Sequence, residues 1–246
     1  MASLFEELDY QKTPLGELVL RRRSSPSLPG ELVYEVTIDG EMLMSSTVNA
    51  SERALARLAL EGRRDDRPLN VLVGGLGLGY TAAEALEHPN TQRLVVIELL
   101  APVIAWHHER LVPMAKTLMD DQRCFLVAGD FFEHVGQAAS EQQYDAILLD
   151  IDHSPDSWLQ AQHGDFYSST GLRGLAGCLR PGGVFALWSA WKPAADFLDL
   201  LGTVFRSTQN HEVAFFNPHV NKMDSNWVVI AEDVLDGCQL ARAKRN

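Results

Sequence analysis

The stretch from Asn70 to Tyr80 constrains the fold of this chain more than any other. It reads Asn-Val-Leu-Val-Gly-Gly-Leu-Gly-Leu-Gly-Tyr, a short apolar run followed by Gly74, Gly75, Gly77 and Gly79. The apolar run is typical of a strand buried on both faces, and the residues after Tyr80 read as a helix. Strand, glycine-rich turn and helix form the first unit of an α/β sheet that binds a nucleotide. Glycine lets the backbone turn tightly and approach a ligand without a Cβ in the way.

An acidic residue after the next predicted strand supports this interpretation. The pattern Gly75-x-Gly77-x-Gly79 is not a full G-x-G-x-x-G, because position 80 is Tyr. Glycine-rich turns also serve ordinary loops, so the downstream sequence has to decide. The apolar run 94–97 ends in Glu98, about 20 residues further on, where such folds place the carboxylate that binds the ribose hydroxyls. We therefore predict that the loop and Glu98 bind a nucleoside.

Two more predicted strands bring carboxylates to the same edge of the sheet. The strand over residues 124–128 is followed by Gly129 and Asp130, and the strand over residues 144–149 by Asp150 and Asp152. Ligands of open α/β sheets bind at the carboxyl ends of the strands. Asp130 can cap the following helix at the same time. The segment from Asp150 is the densest polar cluster of the chain.

The first fifty residues are predicted to form a small antiparallel β unit. Residues 32–38 are rich in β-branched side chains, which is typical of a strand, and Asp39-Gly40 is a two-residue hairpin turn. Residues 41–45 pair back across this turn, and residues 17–23 form a further strand. We also predict a short helix over residues 4–9 and a loop over residues 24–30.

The rest of the chain alternates helices and strands. The remaining predicted elements are helices over 51–61, 102–111, 166–179 and 194–205, a strand over 184–188, and an antiparallel pair over 211–216 and 226–231. The predicted fold class is α/β, with a Rossmann-like, mostly parallel sheet that ends in a C-terminal antiparallel hairpin. The predicted domain organisation is a β unit over residues 1–50, the nucleoside-binding domain over 51–235 and a tail over 236–246.

Composition excludes several classes of function. The 246 residues carry a formal net charge of -12, which disfavours nucleic-acid binding because that needs a basic surface. No stretch approaches the roughly 18 apolar residues of a membrane span, and the N-terminus has no signal-peptide pattern. The 3 cysteines are widely separated, without CxxC or Cys/His spacing, which argues against disulfides and against a metal site. We therefore predict a cytoplasmic protein without a metal.

The order of these parts resembles the S-adenosylmethionine-dependent methyltransferase-like fold. The N-terminal β unit narrows the resemblance to the spermidine synthase (polyamine aminopropyltransferase) family, and the similarity extends from about Leu15 to Ala231. The resemblance implies an enzyme that transfers an aminopropyl group from decarboxylated S-adenosylmethionine to a small amine. It also implies a homodimer.

The resemblance assigns roles to the residues of the predicted edge. The glycine loop (Gly74, Gly75, Gly77 and Gly79) and Glu98 would bind the ribose of the nucleoside and the chain on its sulfur. Asp130 would bind the adenine. Asp150 would be the catalytic base and the anchor of the amine, and Asp152 a second candidate catalytic residue on the acceptor side.

Three departures from the family pattern keep two alternatives open. The glycine loop lacks the family's Asp, the second carboxylate after Asp150 is displaced by one position, and the helix from Ser51 lacks the family's Tyr-His pair. The first alternative is a methyltransferase that uses S-adenosylmethionine itself. The second is a non-catalytic nucleoside-binding or scaffold protein, because a fold does not fix a function.

Overall fold

The N-terminal part of the chain forms a separate antiparallel sheet. The computed structural model describes residues 4–26, 28–62, 67–137, 143–218 and 220–235. The four strands of the small sheet are consecutive in space and in sequence. They are β1 (Phe5–Thr13), β2 (Gly16–Ser25), β3 (Leu28–Ile38) and β4 (Glu41–Ser45). Asp39 and Gly40 have φ values of 48° and 82°, which confirms the predicted hairpin turn because a type I′ turn needs positive φ at both positions.

Two local predictions for this sheet are wrong. The segment predicted as a helix over residues 4–9 belongs to β1, because β1 pairs along its length with the arginine-rich β2 and the Arg22 guanidinium binds the Glu6 carboxylate at 2.5 Å. Such tertiary pairing overrides a weak helical preference. The segment predicted as a loop over residues 24–30 is mostly strand, because β2 extends to Ser25 and β3 begins at Leu28.

The larger sheet has seven strands and confirms the predicted fold class. Its order is β10-β11-β9-β8-β5-β6-β7. The strands from β9 to β7 are parallel, and β11 is antiparallel to both β9 and β10. The strands are β5 (Leu69–Gly74), β6 (Thr91–Glu98), β7 (Cys124–Ala128), β8 (Tyr144–Leu149), β9 (Leu179–Ser189), β10 (Phe205–Asn217) and β11 (Lys222–Val234).

Seven α-helices and a short 3₁₀ helix flank this sheet within the described residues. They are α1 (Ala50–Leu60), α2 (Tyr80–Glu87), α3 (Ala101–His108), α4 (Ala115–Asp120), α5 (Phe131–Gln137), the 3₁₀ helix (Ala161–Asp165), α6 (Ser169–Gly177) and α7 (Ala195–Gly202). The helix predicted from residue 166 begins later, because Ser168 Oγ caps α6 by accepting the N–H of Gly171 at 3.2 Å. Helix α4 was not predicted.

Two hydrophobic clusters cover the two faces of the large sheet. Successive residues of β5 point to opposite faces, so Val71 and Val73 pack with α1 to α4, whereas Leu72 packs with α5 to α7. The small sheet contributes Leu18 and Leu20 to the first cluster. The boundaries predicted at residues 50 and 235 remain a prediction, and the tail over 236–246 lies outside the described residues. None of the described helices has the length and apolar character needed to cross a membrane.

Candidate active site

The glycine loop after β5 has a conformation that requires glycine. Gly75, Gly77 and Gly79 have φ values of 90°, 49° and 91°, a region that side chains with a Cβ rarely adopt. A Cβ on Gly75 would collide with the backbone oxygen of Asp150. The buried His107 supports the loop, because its Nε2 donates to the Gly77 carbonyl oxygen at 3.0 Å. Burial lowers the pKa of His107 to about 4, so this imidazole is neutral at physiological pH.

Glu98 ties the glycine loop to the end of β6. Its Oε2 accepts the N–H of Leu76 at 2.9 Å, and its Oε1 accepts the N–H of Leu100 at 2.8 Å. Burial raises the pKa of Glu98 above its usual value, and the backbone N–H groups act in the opposite direction. The carboxylate lines the cavity described below, where it faces the space that a ligand would occupy.

Asp130 lies at the end of β7 and caps α5, as its position in the sequence allows. Its Oδ1 accepts the N–H groups of Phe132 at 2.7 Å and of Glu133 at 3.4 Å. The residue also lines the cavity. Cap and ligand contact are therefore compatible at this position.

Asp150 follows β8 and forms a carboxyl pair with Glu52 of α1. The Thr81 hydroxyl donates to Asp150 Oδ2 at 2.6 Å and lies 3.2 Å from the Glu52 carbonyl oxygen. Burial raises the pKa of Asp150 to about 6, although the Thr81 bond lowers it. Burial and then the charge of Asp150 raise the pKa of Glu52 to about 7. The two carboxyl groups therefore titrate near neutral pH, as a coupled pair.

Asp152 lies behind the cavity wall. It is 2% exposed, and its Oδ1 accepts from Leu159 N at 2.8 Å and from His163 Nδ1 at 2.7 Å. Its Oδ2 accepts the Tyr167 hydroxyl at 3.0 Å. Burial and then the charge of Asp152 raise the pKa of Tyr167 well above its usual value, so this hydroxyl keeps its proton. His163 lines the cavity, whereas Asp152 is absent from its lining.

One cavity of about 450 Å³ joins these groups. The structure brings Gly75, Gly77, Gly79, Glu98, Asp130 and Asp150 together in its wall, with Gly74 at the adjoining end of β5. Met42 and Met44 of β4 close it from the side of the small sheet, and His153, Trp188 and Asn226 line it past Asp150. Among the described residues that line the cavity, four carry a carboxyl group and none is Lys or Arg. The four are Glu52, Glu98, Asp130 and Asp150. Such a cavity favours a cationic ligand.

Sequence reasoning missed Glu52 and His163. Glu52 lies in the predicted helix before β5, but its pairing with Asp150 depends on how α1 packs on the sheet. His163 lies in the segment between β8 and α6, whose course no periodicity reveals. The dense polar cluster from Asp150 was the one signal that pointed to this neighbourhood.

Comparisons with known proteins agree on one family. The family model described as "Spermine/spermidine synthase domain" matches residues 49–196. A polyamine aminopropyltransferase 2 of Pseudomonas aeruginosa is 30% identical over 185 residues, covering 70% of this chain and 48% of that protein. A putrescine N-methyltransferase 2 of Nicotiana attenuata is 28% identical over 185 residues, covering 64% of this chain and 48% of that protein.

Solved structures share the fold. A spermidine synthase from Thermotoga maritima superposes with a TM-score of 0.68 at 17% identity, covering 94% of this chain and 74% of that one. The chain spans about half the length of the curated relatives that it matches.

Proposed function

The chain belongs to the spermine/spermidine synthase family, and from that premise we propose that it transfers an aminopropyl group from decarboxylated S-adenosylmethionine to a small amine. The observation that carries this proposal is the charge of the cavity. Four carboxylates line it, and within the described residues no Lys or Arg does. The sulfonium and ammonium groups of the nucleoside and the ammonium form of the acceptor are all cations that such a cavity stabilises.

The order of the strands supports one orientation of the nucleoside. The ends of β8, β5, β6 and β7 are neighbours in this order, so Asp150 and Asp130 lie three strand spacings apart, about 14 Å. When the ribose hydroxyls bind Glu98, the base of the nucleoside lies on one side of the ribose and the sulfur on the other. We place the base toward Asp130 and the sulfonium over the glycine loop beside Asp150.

The carboxyl pair supports the decarboxylated nucleoside over S-adenosylmethionine. The carboxylate of S-adenosylmethionine would enter a cavity whose lining, in the described part of the chain, offers it no Lys or Arg and several like charges, which is unfavourable. The decarboxylated form carries only its ammonium at that end. Glu52, from α1, supplies a carboxylate close to Asp150, and in this proposal it replaces the Asp that the glycine loop lacks.

Asp150 is suited to accept the proton of the reaction. The neutral acceptor amine attacks the methylene carbon bound to sulfur, so that a C–N bond forms while the C–S bond breaks. The electron pair of the broken C–S bond returns to sulfur, and methylthioadenosine leaves as a neutral thioether. The new ammonium group passes a proton to Asp150, whose raised pKa of about 6 suits a general base near neutral pH.

Two further parts of the proposal concern assembly and location. We propose a homodimer, as the family resemblance implies, which light scattering on the purified chain tests by its mass. We propose a cytoplasmic protein, because its cysteines are widely separated and lack the spacing of a disulfide framework, which suits a reducing compartment. Fractionation of the cells that express the protein tests this location.

Turnover tests the proposed reaction directly. The protein is incubated with decarboxylated S-adenosylmethionine and a panel of small amines, and the products are separated by mass spectrometry. We expect methylthioadenosine together with an acceptor heavier by one aminopropyl group. A methylated amine and S-adenosylhomocysteine, formed from S-adenosylmethionine instead, would support the methyltransferase alternative. Neither product in either reaction would support the non-catalytic one.

A further inference from the structure

One polar side chain of the cavity wall, His163, has no part in the steps above. It lies in the 3₁₀ helix and is 3% exposed, yet it lines the cavity. Its Nδ1 lies 2.7 Å from Asp152 Oδ1. Among the described residues nothing forms a hydrogen bond with its Nε2. Nε2 is therefore the ring nitrogen left for a ligand.

Phe132 fixes the place of His163 along the cavity. The two rings pack with their centroids 4.1 Å apart, and the Phe132 N–H donates to Asp130 Oδ1 at 2.7 Å. His163 therefore lies at the Asp130 end, the end at which we place the nucleobase. The ring also contacts the segment after β8, because its Nδ1 binds Asp152, two residues after Asp150.

Asp152 selects the tautomer of His163. A carboxylate can only accept, so the proton of the neutral imidazole lies on Nδ1 and Nε2 offers its lone pair. Leu159 N and the Tyr167 hydroxyl donate to the same carboxylate, which holds it in place. The fold thus presents a hydrogen-bond acceptor at this point of the cavity.

We propose that His163 is a specificity-determining residue that accepts a hydrogen bond from the 6-amino group of the nucleobase. This inference rests on the proposed function, because it assumes the orientation of the nucleoside given above. A 6-amino group has two N–H bonds, one for Asp130 and one for His163. A 6-oxo group would present its oxygen to two acceptors and leave both unsatisfied. The site therefore selects 6-aminopurine over 6-oxopurine nucleosides, with Asp152 as the positioning residue.

Calorimetry with two nucleosides tests this inference. The probes are methylthioadenosine and 5′-deoxy-5′-methylthioinosine, which differ at the 6-position. The wild type is expected to bind the 6-amino compound roughly 10- to 100-fold more tightly. His163→Gln offers both an acceptor and a donor at this point, so the preference is expected to fall by roughly tenfold. Asp152→Asn keeps an oxygen toward Leu159 N and His163 Nδ1, because both donate to the same carboxylate oxygen, so the tautomer and the preference are expected to stay as in the wild type.

Tyr167→Phe is the matched control, because it removes a hydrogen bond to Asp152 and leaves the one between Asp152 and His163. It is expected to keep the wild-type preference, and thermal melts establish that each variant is folded. Equal binding of both nucleosides by the wild type would overturn the inference and leave the proposed function standing. A wild-type preference retained in folded His163→Gln would also overturn the inference. If the wild type binds neither nucleoside, both the proposed function and this inference fail.

Discussion

The carboxyl groups of Glu52 and Asp150 share one corner of the cavity, and their ionisation opposes folding. Burial raises the pKa of Asp150 to about 6, and burial together with the charge of Asp150 raises the pKa of Glu52 to about 7. Each group is protonated without penalty below its usual pKa. The cost of its charge grows as the pH rises through the pKa of the folded state. The site therefore costs stability at the pH at which it can bind a cation and accept a proton.

Replacement of Glu52 by Gln is expected to stabilise the protein at pH 8 and to weaken catalysis. Its folded pKa of about 7 lies above its usual value of 4.5, so the free energy of unfolding should rise by about 1–3 kcal/mol at pH 8. At pH 4 the carboxyl is protonated in both states, so no gain is expected. Urea denaturation at the two pH values measures this difference.

Glu61, which directly follows α1 and is exposed to solvent, provides the control for that experiment. Glu61→Gln removes the same charge without a cavity contact, so its stability should change by less than about 0.5 kcal/mol at either pH. An equal effect of Glu52→Gln at pH 4 and pH 8, or a loss at pH 8, would contradict the linkage argument.

Replacement of Thr81 by Val is expected to move the acidic limb of the pH–rate profile upward. The Thr81 bond to Asp150 favours the ionised carboxylate, so its loss raises the pKa of Asp150 further, by roughly 0.5–1 pH unit. The profile of kcat/KM between pH 5 and 9 should show a deficit at low pH that recovers at high pH.

Thr91→Val is the matched control, since Thr91 is a buried threonine whose hydroxyl binds the Ala85 carbonyl oxygen away from the cavity. Its acidic limb should stay in place. A loss of activity in Thr81→Val that is equal at every pH would show that Thr81 acts only on stability.

At the scale of elements, the strands of the large sheet were predictable because their apolar runs are local signals. Val71 to Val73 predict a buried strand, and they form part of β5. Three predicted site residues line one cavity, because parallel strands end at the same edge of a sheet; they are Glu98, Asp130 and Asp150. β1 was missed because its residues, mostly polar and exposed, gain their structure from pairing with β2. Glu52 and His163 were missed because helix packing and loop course decide their positions.

The glycine loop gives the prediction that belongs to this scale. Gly75→Ala is expected to destabilise the protein by roughly 1–3 kcal/mol or more, because φ is 90° at that position and the new Cβ would collide with the Asp150 backbone oxygen. Nucleoside affinity should fall at least about tenfold, since displacement of the loop moves Asp150 as well. Denaturation and calorimetry measure the two effects.

Gly174→Ala in α6 is the control, because a Cβ there would meet nothing within 4 Å. Its stability should be unchanged or higher by up to about 1 kcal/mol, because Ala favours the helix. Unchanged affinity and stability in Gly75→Ala would refute the role assigned to the loop's backbone.

At the scale of the whole molecule, the two sheets act together. The small sheet contributes to the same hydrophobic cluster as the large one, and its β4 forms one wall of the cavity. The Trp106 Nε1–H of α3 donates to Asp9 Oδ2 of β1 at 2.6 Å. A ligand in the cavity therefore touches both sheets. The hydrogen bond between Trp106 and Asp9 stabilises the position of the small sheet, although neither residue lines the cavity.

Asp9→Ala is expected to destabilise the protein by about 1–3 kcal/mol, because it leaves the indole N–H of Trp106 buried without an acceptor. Asp9→Asn keeps an oxygen acceptor and should lose less than half as much. Thermal and urea denaturation compare the two variants. Equal stability of Asp9→Ala and Asp9→Asn would show that this hydrogen bond does not hold the sheets together.

The central claim is that this cavity binds a sulfonium nucleoside without a carboxylate. Titration calorimetry of the wild-type protein with decarboxylated S-adenosylmethionine and, separately, with S-adenosylmethionine tests it most directly. We predict at least roughly tenfold tighter binding of the decarboxylated form, because the lining carboxylates oppose the extra negative charge. Tighter binding of S-adenosylmethionine, or binding of neither compound, would contradict the claim.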